Sequence, residues 1–192
     1  MADAARHNLA LFGPAGSGKG TQAAFLEREL GVEHIATGEM LREERHSGSE
    51  LGQTLAAYLD AGKLVPDEVI VAMIRHRLGD PPADSGFVLD GFPRTVAQAR
   101  SLQEMLANVD RPLELALVLE VPTEQLISRL ARRAKLENRS DDTPDVIAER
   151  LRIYHNQTEP VLEHLALSVP VRRVDGARPV GQVGDELLRA IG

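Results

Sequence analysis

Residues 8–21 read Asn-Leu-Ala-Leu-Phe-Gly-Pro-Ala-Gly-Ser-Gly-Lys-Gly-Thr, an apolar run that breaks into a glycine-rich loop carrying one lysine. Few folds accommodate such a stretch. An apolar run without polar alternation needs cover on both faces, as a strand of a parallel sheet has. Glycine at 13, 16, 18 and 20 lets the following backbone turn tightly and approach a ligand. Gln22–Leu30 then has the character of a helix, whose unpaired N–H groups would open onto the loop. Strand, glycine loop with lysine, then helix is the arrangement of a P-loop, in which backbone N–H groups and a lysine surround nucleotide phosphates. Gly16, Ser17, Gly18, Lys19, Gly20 and Thr21 are the candidate phosphate ligands, with Lys19 reaching the β- and γ-phosphates. A ligand-free strand–helix turn is the plain alternative; four glycines and a lysine in this context disfavour it. The general pattern places Ser or Thr directly after the lysine to hold Mg²⁺. Here Gly20 stands there and Thr21 follows, so the pattern fails by one residue.

Further strands are predicted at His34–Ala36, Phe87–Asp90, Leu115–Val121 and Val171–Val174, with Leu9–Phe12 as the first. Helices are predicted over Thr21–Leu30, Gly38–His46, Leu51–Ala61, Asp67–Leu78, Val96–Ala107, Glu124–Arg133, Pro144–Leu165 and Gly181–Ile191. Thr143 before Pro144, and Thr123 after Pro122, have the form of helix caps. The alternation predicts an α/β fold, a parallel five-stranded sheet flanked by helices, over the whole chain 1–192. Ligands on such sheets sit at the carboxyl ends of the strands, which gathers the loops after Phe12, Ala36, Asp90 and Val121 around one cleft.

Composition narrows the partners. The net charge of −7 disfavours a broad nucleic-acid-binding face. No cysteine is present, which excludes disulfides and thiolate zinc sites and suits the cytoplasm. No apolar run approaches the roughly 20 residues of a membrane span, and the start of the chain carries no signal-peptide core. With no heptad or apolar stripe, a monomer is expected.

Other motifs fall in the predicted loops. Gly86–Thr95 is a buried strand ending in Asp90, then a sharp loop with Gly91, Phe92, Pro93 and Arg94. A carboxylate at a strand tip needs a cation or donors; Mg²⁺ through water is the natural partner, and pairing with Lys19 or Arg94 is the structural alternative. Thr37 and Arg42 admit a cap and a solvated arginine as a plain reading, and Gly62–Asp67 reads as a helix end followed by a cap at Asp67. Thr95 and Gln98 form a capping box on one reading, whereas on the other the Gln98 amide meets a purine edge. Arg129 and Arg133 share one helix face, with Arg132 turned to solvent. Arg139 lies in a polar loop and Arg150 on the next helix. Converging arginines repel unless anions lie between them. Surface ion pairs with Glu137, Asp141, Asp142 and Glu149 are the alternative, preferred were there no P-loop.

Taken together these motifs resemble the adenylate kinases, over Asn8–Gly192: Gly13–Gln22 for the phosphate loop, Thr37–Arg42, Gly62–Asp67 and Asp90–Arg94 with Gln98 for the AMP segments, and Arg129, Arg133, Arg139 and Arg150 for the lid and clamp. Val174–Pro179 resembles the loop that packs on the ATP adenine. The resemblance implies a P-loop kinase fold with two insertions, an AMP lobe at 36–66 and a short lid at 134–142, both mobile. It implies the reaction ATP + AMP ⇌ 2 ADP with Mg²⁺ and no zinc. The implied catalytic set is Lys19, Arg94, Arg129, Arg139 and Arg150, and Asp90 would hold the metal through water. ATP would meet residues 16–21, Arg133 and, through its backbone, Arg178. AMP would meet Thr37, Arg42, Lys63, Leu64, Val65, Gly91, Phe92, Pro93, Arg94, Gln98, Arg139 and Arg150. Pyrimidine monophosphate kinases, by resemblance, tend to carry Ala and Asn where Thr37 and Gln98 stand, so adenine is expected. Ala15 in place of a proline and Glu39 in place of an aspartate depart from the family pattern. A uridylate/cytidylate kinase, and a P-loop ATPase or regulatory module lacking an acceptor, remain the competing readings.

Overall fold

The computed structural model describes residues 7–79, 86–136 and 143–192. Five strands, β1 (Asn8–Phe12), β2 (Glu33–Ala36), β3 (Phe87–Asp90), β4 (Leu115–Glu120) and β5 (Val171–Asp175), form one parallel sheet in the order β2-β3-β1-β4-β5. β1 is therefore central, which is why its sequence is apolar from Leu9 to Phe12. Alternation then divides the strand residues between two layers. Ala10, Phe12, Phe87, Leu89, Ala116 and Val118 join one core with α4 (Asp67–Gly79), α5 (Val96–Asn108) and α8 (Glu159–Leu165). Leu9, Leu11, Val88, Leu117 and Leu119 join the other, with α1 (Lys19–Leu30) and α9 (Val180–Ile191). A smaller cluster, Leu126, Leu130, Ile147 and Leu151, fastens α6 (Thr123–Leu136) to α7 (Pro144–Ile153).

Between β2 and α4 the chain leaves the sheet as α2 (Thr37–His46) and α3 (Glu50–Asp60). These helices pack tightly: a β-carbon at Gly52 would lie 2.2 Å from the carbonyl oxygen of Glu44. Ser49 caps α3 by accepting from the Gly52 amide, and Arg45 pairs with Asp60 at 2.8 Å. Of the expected lid, residues 137–142, Arg139 included, lie outside the described residues.

Three local expectations are corrected. The predicted helix Pro144–Leu165 is divided by a wide π turn at Tyr154–Thr158. Pro160 explains it: proline has no N–H for the ladder and clashes with the preceding turn, which a wider turn relieves. Thr123 and Asp67 do not cap; each lies in the first turn of its helix. The preceding prolines take the cap position, Pro122 accepting from the Gln125 and Leu126 amides and Pro66 from those of Val69 and Ile70. Thr143 does cap α7, its hydroxyl accepting from the Val146 amide. Among the described residues, no helix is long and apolar enough to cross a membrane.

Candidate active site

The loops after β1, β2 and β3 open onto one cleft of about 730 Å³ at the carboxyl ends of the strands. The phosphate loop forms its floor. At Gly16 φ is +84°, and a β-carbon would lie 2.9 Å from Leu130 Cγ, so only glycine fits the turn. Gly20 differs from expectation: it lies in the first turn of α1, at no special backbone angle. A β-carbon there would touch the Asp90 carboxylate at 3.4 Å, so a longer side chain would crowd the space before it. No side chain caps α1, and its first internal bond runs from the Gln22 amide to the Gly18 carbonyl. The N–H groups ahead of Gln22 thus face the cleft end of the helix, suited to an anion. Lys19 folds back to donate to the carbonyls of Gly13 and Pro14, at 2.7 and 3.0 Å. Burial pulls its ammonium down to about 8; Arg94 and Arg133 push the same way and Asp90 opposes.

Asp90 stands at the tip of β3. Burial works to raise its carboxyl, yet His34, Lys19 and Arg94 together outweigh burial and hold it below the usual carboxylate range. His34 on β2 lies 3.7 Å from the carboxylate, and its own pKa is raised, chiefly by Asp90. When protonated, His34 is thus an ion-pair partner of Asp90 beside the Lys19 and Arg94 considered from sequence. The loop beyond it is cross-braced. Thr37 does not cap α2, the plain reading of its place; it donates its hydroxyl to the Asp90 carbonyl at 3.0 Å. Arg94 Nε donates to the Gly91 carbonyl at 2.7 Å, and the Arg94 carbonyl accepts from the Thr158 hydroxyl at 3.1 Å. Burial, then the neighbouring Arg150 and Arg42, lower the Arg94 pKa, with Asp90 opposing.

Thr95 caps α5 by accepting from the Gln98 amide N–H. The Gln98 side chain does not close an ordinary capping box: its oxygen accepts from the Arg94 N–H at 2.7 Å and its nitrogen donates to Asp67 at 2.6 Å. On the far side of the cleft, Arg129 donates to the Gly176 carbonyl at 3.0 Å, tying α6 to the loop after β5. The Arg178 side chain is drawn away to Asp175 and Glu186, which leaves backbone of that loop facing the cleft. Gln22 fixes the start of α9, where that loop ends, by donating to the Val180 carbonyl at 2.9 Å.

The cleft therefore collects residues 16–21, Thr37, Arg42, Lys63, Leu64, Val65, Asp90, Gly91, Arg94, Gln98, Arg129, Arg133, Arg150 and Arg178. Phe92 and Pro93 stand apart. Phe92 is core, and both line a smaller cavity of about 70 Å³ with Arg94, Arg150, Tyr154 and Thr158. Arg132, expected to be solvated elsewhere, is exposed on the cleft itself. His34, Asp67 and Thr158 were not foreseen as site residues. For His34 and Thr158 the sequence carries no signal; for Asp67 the signal is its place between Pro66 and an apolar helix, which reads equally as a cap. Among the described residues, the cations on the cleft (Lys19, Arg42, Lys63, Arg94, Arg129, Arg132, Arg133 and Arg150) stand against the carboxylates of Glu39 and Asp90. In a chain of net charge −7, that concentration marks a site for polyanions.

Parallel sheet, phosphate loop and cationic cleft define a P-loop nucleotide-binding protein. Residues 11–168 match the family model described as adenylate kinase. The chain is 45% identical over 183 residues to an adenylate kinase of Stenotrophomonas maltophilia strain R551-3, covering 95% of this chain and 98% of that one. It is 42% identical to those of Thermobifida fusca strain YX, covering 95% and 97%, and of Maricaulis maris strain MCS10, covering 96% and 98%. The chain belongs to the adenylate kinase family, phosphotransferases acting between adenine nucleotides.

Proposed function

We propose that the cleft holds ATP and AMP end to end and transfers the γ-phosphoryl group between them, giving two ADP. The observation that carries this reading is the pair of cationic ends on one cleft. One is the phosphate loop with Lys19; the other is the group of Arg42, Arg94 and Arg150 beyond Asp90.

Residues 16–21 and Arg133 take the ATP phosphates. The loop of Gly176 and Arg178, tied to α6 by Arg129, takes the base end of ATP. Thr37, Lys63, Leu64, Val65, Gly91, Phe92, Pro93 and Gln98 shape the AMP site, Phe92 and Pro93 from the smaller cavity. Arg42, Arg94, Arg150 and Arg139 hold phosphate oxygens between the nucleotides. An AMP phosphate oxygen attacks the γ-phosphorus in line; the bond from that phosphorus to the bridging oxygen breaks, and ADP departs with the electron pair. No covalent intermediate is needed, since positioning and charge neutralisation carry such transfers. Lys19, Arg94, Arg129, Arg139 and Arg150 neutralise the charge that spreads over the transferring oxygens. Closure of the 36–66 lobe and the 134–142 lid excludes water, which would otherwise take the phosphoryl group.

Magnesium fits the donor set. Asp90 is held ionised at the strand tip with open space before it at Gly20. Mg²⁺ keeps several waters and needs one or two carboxylates beside substrate phosphates; among the described residues no larger cluster of His, Asp or Glu exists. When bound, the ion screens the β- and γ-phosphate charge. One chain lines both ends of the cleft, which supports action as a monomer, and the absence of cysteine supports a cytoplasmic setting.

The test is ADP formation from Mg-ATP with AMP, UMP, CMP or GMP offered singly, followed by ³¹P NMR. ADP made only with AMP is expected. Turnover with UMP or CMP instead would overturn the base assignment, and ATP hydrolysis without an acceptor would overturn the acceptor site.

A further inference from the structure

We propose that Asp67 is a specificity-determining positioning residue: it holds the Gln98 amide in the one orientation that accepts adenine and rejects 6-oxopurines. The inference rests on the AMP-site reading above and assigns to a residue off the cleft the selection of the base.

Four hydrogen bonds form a closed circuit. The Arg94 N–H donates to Gln98 Oε1 at 2.7 Å, and Gln98 Nε2 donates to Asp67 Oδ1 at 2.6 Å. The Thr95 hydroxyl donates to Asp67 Oδ2 at 2.9 Å, and the Gln98 N–H donates to Thr95 Oγ1 at 3.1 Å. An amide side chain carries two N–H donors and two acceptor lone pairs. The circuit uses one of each, which leaves one N–H on Nε2 and one lone pair on Oε1. Gln98 is 2% exposed and its side chain lines the cleft, so those two valences are what a ligand meets.

The circuit also forbids the reverse amide. Turned over, Nε2 would face the Arg94 N–H, donor against donor, and Oε1 would face the Asp67 carboxylate, acceptor against anion. Each reversal costs a hydrogen bond, one of them to a charged group, in a buried site where such losses are largest. The Arg94 N–H fixes one end of the amide and Asp67 the other. Orientation decides which base fits. Adenine presents an amino donor beside a ring-nitrogen acceptor, matching a free lone pair beside a free N–H. A 6-oxopurine presents the opposite order, a carbonyl acceptor beside a ring N–H, and meets like against like.

Asp67 is not among the residues that line the cleft, so it acts through Gln98. It reaches Gln98 because the first turn of α4 packs against the start of α5, and because Pro66 takes the cap position and frees the carboxylate. That explains why an aspartate placed like a cap does not cap.

The experiment compares wild-type protein with Asp67→Leu and Asp67→Asn in steady-state assays with AMP and IMP as acceptors. Asp67→Leu should lower the kcat/KM preference for AMP over IMP about tenfold, with KM for AMP rising and KM for ATP unchanged. Asn can accept from Gln98 Nε2 through its own oxygen, so Asp67→Asn should keep an intermediate preference. It also keeps the side-chain shape and carries the test if the leucine variant does not fold. A general loosening of the structure would raise KM for AMP and IMP alike. An unchanged AMP-to-IMP ratio in an active variant overturns the role of Asp67 and leaves the proposed reaction standing. A wild-type protein that makes no ADP from AMP would overturn the reaction itself.

Discussion

The two ends of the cleft are built by different means. The phosphate-loop end is made of backbone: a positive-φ turn at Gly16 seated on Leu130, a helix start without a side-chain cap, and one lysine folded onto loop carbonyls. The acceptor end is made of side chains that hold one another. Thr37 braces the Asp90 carbonyl, Thr158 braces the Arg94 carbonyl, and Gln98 spans Arg94 and Asp67. A backbone site is fixed by the fold and is hard to detune by removing one functional group. A side-chain network concentrates its function in single groups, so each of its members can be tested alone.

Arg94 gives the largest expected contrast. Arg94→Ala should lower kcat about a thousandfold, the scale of losing a buried group that neutralises transition-state charge. ATP affinity, measured by calorimetry without AMP, should change less than about threefold, because the phosphate loop is untouched. Near-normal turnover in a cooperatively melting Arg94→Ala protein would sink the distinction between the two ends.

Lys19 tests the other end. Its ammonium titrates near pH 8 in the nucleotide-free protein, and phosphate contact favours the charged form. ATP affinity should therefore be flat below that value and fall about tenfold per pH unit above it, with proton uptake on binding. Calorimetry at pH 8.5 in two buffers of different ionisation enthalpy detects that uptake. Binding without proton uptake would mean that the lysine is already fully charged in the free cleft.

Thr158 sharpens the contrast at lower amplitude. Thr158→Val keeps the shape but leaves the Arg94 carbonyl without that hydroxyl. A neutral hydrogen bond of about 1 kcal/mol corresponds to roughly a fivefold loss in kcat/KM for AMP, with KM for ATP unchanged. An equal loss for both substrates would show that the π turn supports the whole cleft rather than the acceptor end.

The same difference in construction explains what the sequence made legible. The phosphate loop was readable because backbone geometry needs glycines at fixed spacing beside an apolar strand, and β1 lies where that pattern puts it. The residues proposed for the acceptor end came from family resemblance alone, since Thr37, Arg42 and Gln98 have ordinary uses as caps and surface groups. Their braces come from residues remote in sequence. Thr158 is 64 positions from Arg94, and Asp67 is 31 from Gln98. No local pattern encodes such pairs. The divided helix was a different case: Pro160 announced it, and the amphipathic run around it concealed the break.

His34 should give the smallest effect, and its sign is fixed. Its folded pKa is raised above 6.5, so its protonation contributes stability below that value and loses it as pH rises through the folded pKa. Asp90 is lowered below 3.8, so its contribution is present above 3.8 and disappears as pH falls through the folded value. Both charges therefore stabilise the fold between those limits. The two side chains are 13% and 17% exposed and 3.7 Å apart, so solvent screens the pair only in part. His34→Gln keeps a hydrogen-bonding group but no charge. Denaturant unfolding in metal-free buffer should find wild type more stable than His34→Gln by about 1 kcal/mol at pH 5.5, and by less than half of that at pH 8.5. A gap independent of pH would mean that His34 serves β2 by packing alone, and that Asp90 is kept ionised by Lys19 and Arg94, the two cations facing it from opposite ends of the cleft.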